Sequence, residues 1–149
     1  MLARAWGLLG GVSAVLVITA FLATLVGGGW RYGADTAAGP LHQVWVQATT
    51  MSFLGIVACQ IGTAFAARTQ TASLRQIGIA TNRLLLGGIA FELLFSAAIV
   101  YLPPLQAVFG TTAPQPWQLL MLVPCPFLVW AVDEMARSGR RRTQAARGA

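Results

Sequence analysis

The chain is 149 residues long, 56% hydrophobic and only 9% charged, whereas a soluble domain carries charge on about a quarter of its residues. So much apolar surface excludes a water-soluble globule of this size and predicts an integral membrane protein whose helices face lipid. The net charge of +6 comes almost wholly from arginine, and five of the ten basic residues (Arg137, Arg140, Arg141, Arg142 and Arg147) fall in one C-terminal segment. That segment holds no aromatic residue on which a base could stack, so the expectation is a topology signal in contact with anionic lipid, with no nucleic-acid partner.

In chain order, four segments are apolar over the roughly 20 residues that a helix needs to cross the hydrocarbon core. They are Trp6 to Val26, Leu41 to Ala67, Leu84 to Leu102 and about Phe109 to Val132. Backbone amides cannot stay unpaired in lipid, so each is expected to be a helix. The second and fourth are longer than a perpendicular crossing requires, which predicts tilt or an interfacial portion. In the first, Gly7 and Gly11 form a G-x-x-x-G pair, and in the second Gly62 and Ala66 repeat the small-x-x-x-small spacing that lets helix backbones approach. In the fourth, "VPCPF" sets Pro124 and Pro126 inside the span, where each missing amide should kink or locally unwind the helix.

Charge sets the expected direction. Arg4 precedes the first span, Arg68, Arg75 and Arg83 separate the second from the third, and the arginine-rich segment follows the fourth. The other two connections hold Arg31 with Asp35, or no charge at all in "PPLQAVFGTTAPQP". The positive-inside rule then places both termini in the cytoplasm. The expected fold is all-α: an integral membrane four-helix bundle of two helical hairpins, N-in and C-in, over residues 1–136, with a basic cytoplasmic tail at 137–149. The predicted location is the cell membrane, multi-pass, and the absence of lysine beside abundant Ala, Gly and Arg hints at a GC-rich bacterial genome.

Chemistry-bearing residues are few. Cys59 and Cys125 lie in apolar runs without a C-x-x-C spacing, and His42 is the lone histidine. They predict packing residues, with no structural zinc site and no cofactor. At 100° per residue, Thr49, Ser52, Cys59, Gln60 and Thr63 share one side of the second helix, while Gly88, Glu92 and Ser96 form a narrow stripe on the third. A charged acid at the bilayer centre costs about 2.5–3.5 kcal/mol or more. Glu92 should therefore face the bundle interior, be protonated or meet a cation; the alternative is a packing role, hydrogen-bonded to a group such as Gln60. Asp133 and Glu134 follow the fourth span, and successive helical residues point about 100° apart. They are expected to form an ion-pair cluster with Arg137 or Arg83 at the helix end and not to serve as a catalytic acid pair.

The runs "TMSFLGIVACQIGTAFAARTQ", "NRLLLGGIAFELLFSAAIVYLPPLQAVFGTTAPQPWQLLMLVP" and "VDEMARSGRRR" together resemble the C-terminal membrane region of P-type cation-transporting ATPases, which supplies the last four transmembrane helices of those pumps. The most specific landmarks are Y-L-P-P-L-Q-x-x-F, the tryptophan Trp117 opening the final span, and the acidic pair Asp133 and Glu134 before the basic tail. Carried over by position, the resemblance implies that Gln60 stands where calcium pumps place a glutamate ligand and sodium pumps a glutamine. It implies likewise that Glu92 stands where sodium and proton pumps place a glutamate tied to ion binding or release. The two are candidate cation-pathway residues, with no choice between monovalent and divalent cation.

The sequence contains no D-K-T-G phosphorylation motif, P-loop or Ser-His-Asp set. The expectation is a non-enzymatic membrane domain, supporting a separately encoded pump as partner or surviving as a truncated copy. The alternative is a small proton- or cation-coupled transporter working as a homo-oligomer through Glu92.

Overall fold

A computed structural model describes residues 2–67 and 83–147. Among them every regular element is a helix: α1 (Leu2–Gly27), α2 (Pro40–Ala67), α3 (Arg83–Tyr101), α4 (Pro103–Phe109), α5 (Pro116–Leu122) and α6 (Pro124–Arg147). Four stretches are long and apolar enough to cross a membrane: Gly7–Gly27, Pro40–Ala66, Arg83–Tyr101 and Pro116–Ala136. The all-α, four-span architecture expected from the sequence is therefore present. Arg68 and Arg75 lie outside the described residues.

Local chemistry sets the helix ends. α1 closes with the amides of Gly29 and Trp30 bonding back to the carbonyls of Val26 and Leu25 at 3.0 and 3.1 Å. This pairing needs a left-handed residue, and Gly29 supplies it at φ +94°. A proline occupies the first position of α2, α4, α5 and α6, where its fixed φ suits the helix; at α2 and α5, which follow loops, its missing amide costs nothing.

The fourth span departs from expectation at its start. The apolar run suggested helix from about Phe109, but Phe109 ends the short helix α4, and Gly110 turns the chain in the left-handed region at φ 62°. Helix resumes only at Pro116. Hydropathy cannot separate a snug apolar loop from a span; the breakers Gly110, Pro114 and Pro116 decide it here. Val123 then interrupts the α5–α6 ladder while keeping helical dihedrals (φ −54°, ψ −42°), because Pro124 and Pro126 bring no amides to carry the ladder on. α6 continues as helix through the basic segment to Arg147.

α2 is the central element, packed against α1, α6, α5 and the end of α3. The core cluster of Ala20, Met51, Cys59, Leu122, Cys125 and Val129 lies where α1, α2, α5 and α6 meet. Lipid offers helices little hydrophobic reason to associate, so close fit and buried polar bonds must hold this junction. Gly62 supplies the fit: a Cβ there would stand 2.6 Å from the carbonyl oxygen of Pro126 and 2.9 Å from its Cα. Gly7 and Gly11 differ, since a Cβ on either meets nothing within 4 Å. The G-x-x-x-G pair of α1 thus joins no helix of this chain among the described residues.

α3 is held at one end only. Its buried residues are Ser96, Ile99 and Val100, while Leu84, Phe91 and Leu94 are 88%, 69% and 73% exposed. The anchoring end is stitched by side chains. Pro103 and Pro104 cannot donate to the carbonyls of Ile99 and Val100, one helical turn behind them. Thr111 Oγ1 donates to the Ile99 carbonyl at 2.8 Å, and Gln106 Nε2 donates to that of Val100. The proline pair and its two polar substitutes form one unit, which explains why "YLPPLQAVFGT" turns sharply without leaving orphan carbonyls.

Candidate functional site

The candidate residues Gln60 and Glu92 lie on different helices, and the structure does not join them. Gln60 is exposed on α2 and lines a half-open groove of ≈ 360 Å³ between α1 and α2, with Ser13, Ala14, Val17, Ile18, Ile56, Cys59 and Thr63. Glu92 lies on α3, half-buried, four residues before the buried Ser96. No hydrogen bond links the two among the described residues, so the packing alternative of a Gln60–Glu92 bond is not present. The physical reason is the placement of each group: Gln60 opens onto the α1 side, and α3 makes its buried contact near its other end.

The rest of the α2 polar stripe is less polar than its composition suggests. Thr49, Ser52 and Thr63 donate their hydroxyls to the carbonyls of Val46, Ala48 and Cys59 at 2.9, 3.2 and 3.0 Å. Hydroxyls used this way have no proton left to donate to a neighbouring helix, while their lone pairs stay available to a cation. Gln60 therefore carries the free amide of the stripe. Gly88, the third member of the α3 stripe, is exposed.

Asp133 and Glu134 are both half-buried on α6. The Arg137 side chain expected beside them lies outside the described residues, and Arg83 opens α3. His42 is committed locally: Nδ1 lies 3.2 Å from the Thr36 carbonyl and the ring stacks on Trp45 at 6.1 Å. Among the described residues no group of three or more His, Cys, Asp and Glu side chains could hold a metal ion.

Sequence reasoning passed over three structural polar groups. Thr50, 1% exposed, donates to the Val46 carbonyl at 2.8 Å and accepts from the Thr112 amide at 3.1 Å, tying α2 to the loop before α5. Gln118, 2% exposed, accepts from the Gln115 amide at 2.7 Å and closes the start of α5. Gln106 bridges the proline turn. A proline at N1 with Gln three residues beyond the preceding N-cap was the available signal for Gln118; the Thr50–Thr112 link spans too much chain to be read locally.

This arrangement defines a helical membrane domain with two unlinked polar positions on separate faces and a half-open groove beside one of them. The chain belongs to the family described as cation transporting ATPase, C-terminus, whose model matches residues 1–138. It is 35% identical over 94 residues to calcium-transporting ATPase 1 of Schizosaccharomyces pombe, covering 63% of this chain and 10% of that protein. It is 28% identical over 130 residues to calcium-transporting ATPase type 2C member 1 of Homo sapiens, covering 87% of this chain and 13% of that protein. The rat type 2C member 2 enzyme is 35% identical over 89 residues. The chain thus spans about a tenth of the length of the curated relatives it matches, and the match is to their C-terminal membrane region.

Proposed function

We propose that this chain is a support bundle for a cation-transporting ATPase. It docks against the pump's other membrane helices through the α1–α2 groove and the Gly88–Glu92 face of α3, and has no ATPase activity of its own. The observation that carries this reading is Gln60: an amide exposed partway along a membrane helix, with no hydrogen bond among the described residues, beside a groove wide enough for side chains of another helix. An unpaired amide in hydrocarbon is costly, so the free surface favours an occupant with polar atoms. The open G-x-x-x-G pair of α1 supports the same reading, because it offers a close-approach surface that this chain leaves unused.

In this proposal Gln60 and Glu92 border the cation path, both termini face the cytoplasm, and the arginine-rich end of α6 lies against anionic lipid at the cell membrane. The relatives, calcium-transporting ATPases by name, favour calcium as the cation of the pump. Purification of the tagged chain from its native membrane, with and without Gln60→Leu, tests the docking. Recovery of a P-type ATPase that falls away in the variant supports it. A truncated copy predicts that no pump is recovered and that deletion has no phenotype.

The second reading, a homo-oligomeric transporter, draws on the half-buried carboxyl of Glu92 and the uncovered first half of α3. Cation flux in liposomes distinguishes it: equal transport by the wild type and Glu92→Gln eliminates that mechanism.

A further inference from the structure

We infer that Cys59 and Cys125 form an oxidisable intramembrane pair, closed into a disulfide joining α2 to α6 by a lipid-soluble two-electron oxidant of the quinone class. The two residues are far apart in sequence, but folding brings them together. Both are buried, 3% and 4% exposed, and belong to the same core cluster. The two thiols are near enough to influence each other electrostatically, while the hydrogen bond of Cys125 Sγ goes to the Met121 carbonyl at 3.9 Å.

Backbone approach supports the bond. A disulfide requires Cα atoms about 4.4–6.8 Å apart, which most packed helices do not provide. Here α2 and α6 touch backbone to backbone: the place of a Gly62 Cβ lies 2.9 Å from Pro126 Cα. Cys125 immediately precedes Pro126, and Cys59 lies one turn before Gly62. A close backbone approach between the helices therefore falls beside the thiol pair.

Access follows from the groove. Cys59 lines it together with Ser13, Ile56 and Gln60, so one thiol of the pair borders a space open at the surface of the bundle. The mainly apolar lining, with Ala14, Val17, Ile18 and Ile56, favours a lipid-soluble oxidant over a water-soluble one. The reaction balances without a metal: two S–H bonds break, one S–S bond forms, and the two electrons and two protons convert the quinone to its hydroquinone. A structural zinc site fits less well, since it takes four ligands and no third His, Cys, Asp or Glu among the described residues joins the thiols. The bridge would fasten α6 to α2 beside the Val123 interruption and fix the wall of the groove that carries Gln60.

The test uses the full chain, reduced and reconstituted in lipid nanodiscs, then exposed to tetramethylbenzoquinone, whose substituted ring leaves no vacant position for thiol addition. After denaturation, remaining thiols are alkylated and the protein is weighed intact and mapped by non-reducing digestion. The expected result is loss of both alkylatable thiols in a monomer lighter by two hydrogens, with a linked Cys59–Cys125 peptide. In Cys59→Ser the remaining Cys125 stays alkylatable, and Ile56→Trp, which narrows the groove, slows closure several-fold. Two thiols still alkylatable in the wild type, or disulfides formed only between chains, overturn the inference. An unchanged rate in Ile56→Trp overturns the groove as the route.

Discussion

Alanine at Gly62 and alanine at Gly7 or Gly11 should have opposite effects, although all three glycines belong to small-x-x-x-small pairs. At Gly62 the new methyl would stand 2.6 Å from the Pro126 carbonyl oxygen, 2.9 Å from its Cα and 3.0 Å from Val129 Cβ. Carbon contacts are optimal at about 3.5–4.0 Å, so α6 must retreat by about 0.5–1 Å. Two of the opposing atoms are backbone, and no rotamer change can relieve them. Overpacking of this kind costs about 1–3 kcal/mol, and the helix-propensity gain of Gly→Ala returns about 0.5–1 kcal/mol. The net expectation is about 1–2 kcal/mol of destabilisation. At Gly7 and Gly11 only the propensity gain remains, because the added methyl meets nothing within 4 Å. Unfolding of the purified chain in mixed micelles of increasing SDS fraction, followed by far-UV circular dichroism, reads the difference. A Gly62→Ala chain as stable as Gly7→Ala would refute the placement of α6 on α2.

Removing the substitutes at the proline turn exposes what they satisfy: Gln106→Leu and Thr111→Val should each destabilise by about 1–3 kcal/mol, the cost of an unsatisfied buried carbonyl, measured in the same SDS titration. Thr50→Val should cost about 1 kcal/mol or more by orphaning the Thr112 amide, and hydrogen exchange should quicken first in the loop before α5. Gly29→Ala places a Cβ at φ +94° and should cost about 1–2 kcal/mol at the α1 end. Docking of a pump should survive Gly29→Ala and fail in Gln60→Leu, read as the ratio of the two chains after co-purification.

Much of the fold was legible because the bilayer makes composition decisive. A run such as Leu84 to Leu102 has little choice but to be a helix, and α3 spans Arg83–Tyr101. What composition could not show was the loop from Gly110 to Gln115, since Pro114 is buried and the segment is not strongly polar. Nor could spacing distinguish Gly62 from Gly7: identical motifs report only that an approach is possible, and the position of α6 decides which one is used. Gln60 and Glu92 stood out as polar atoms in an apolar sequence, yet their separation depends on how far α3 follows α2. That in turn rests on anchors at Ile99, Val100 and Thr111, outside the polar stripe altogether.

The most direct test of the central claim is affinity purification of the tagged chain from its native membrane in mild detergent, with co-purifying proteins counted by mass spectrometry. A support bundle predicts a P-type ATPase at close to one copy per chain, and its loss in Gln60→Leu. Recovery of the chain without a pump, unchanged by the substitution, would contradict it.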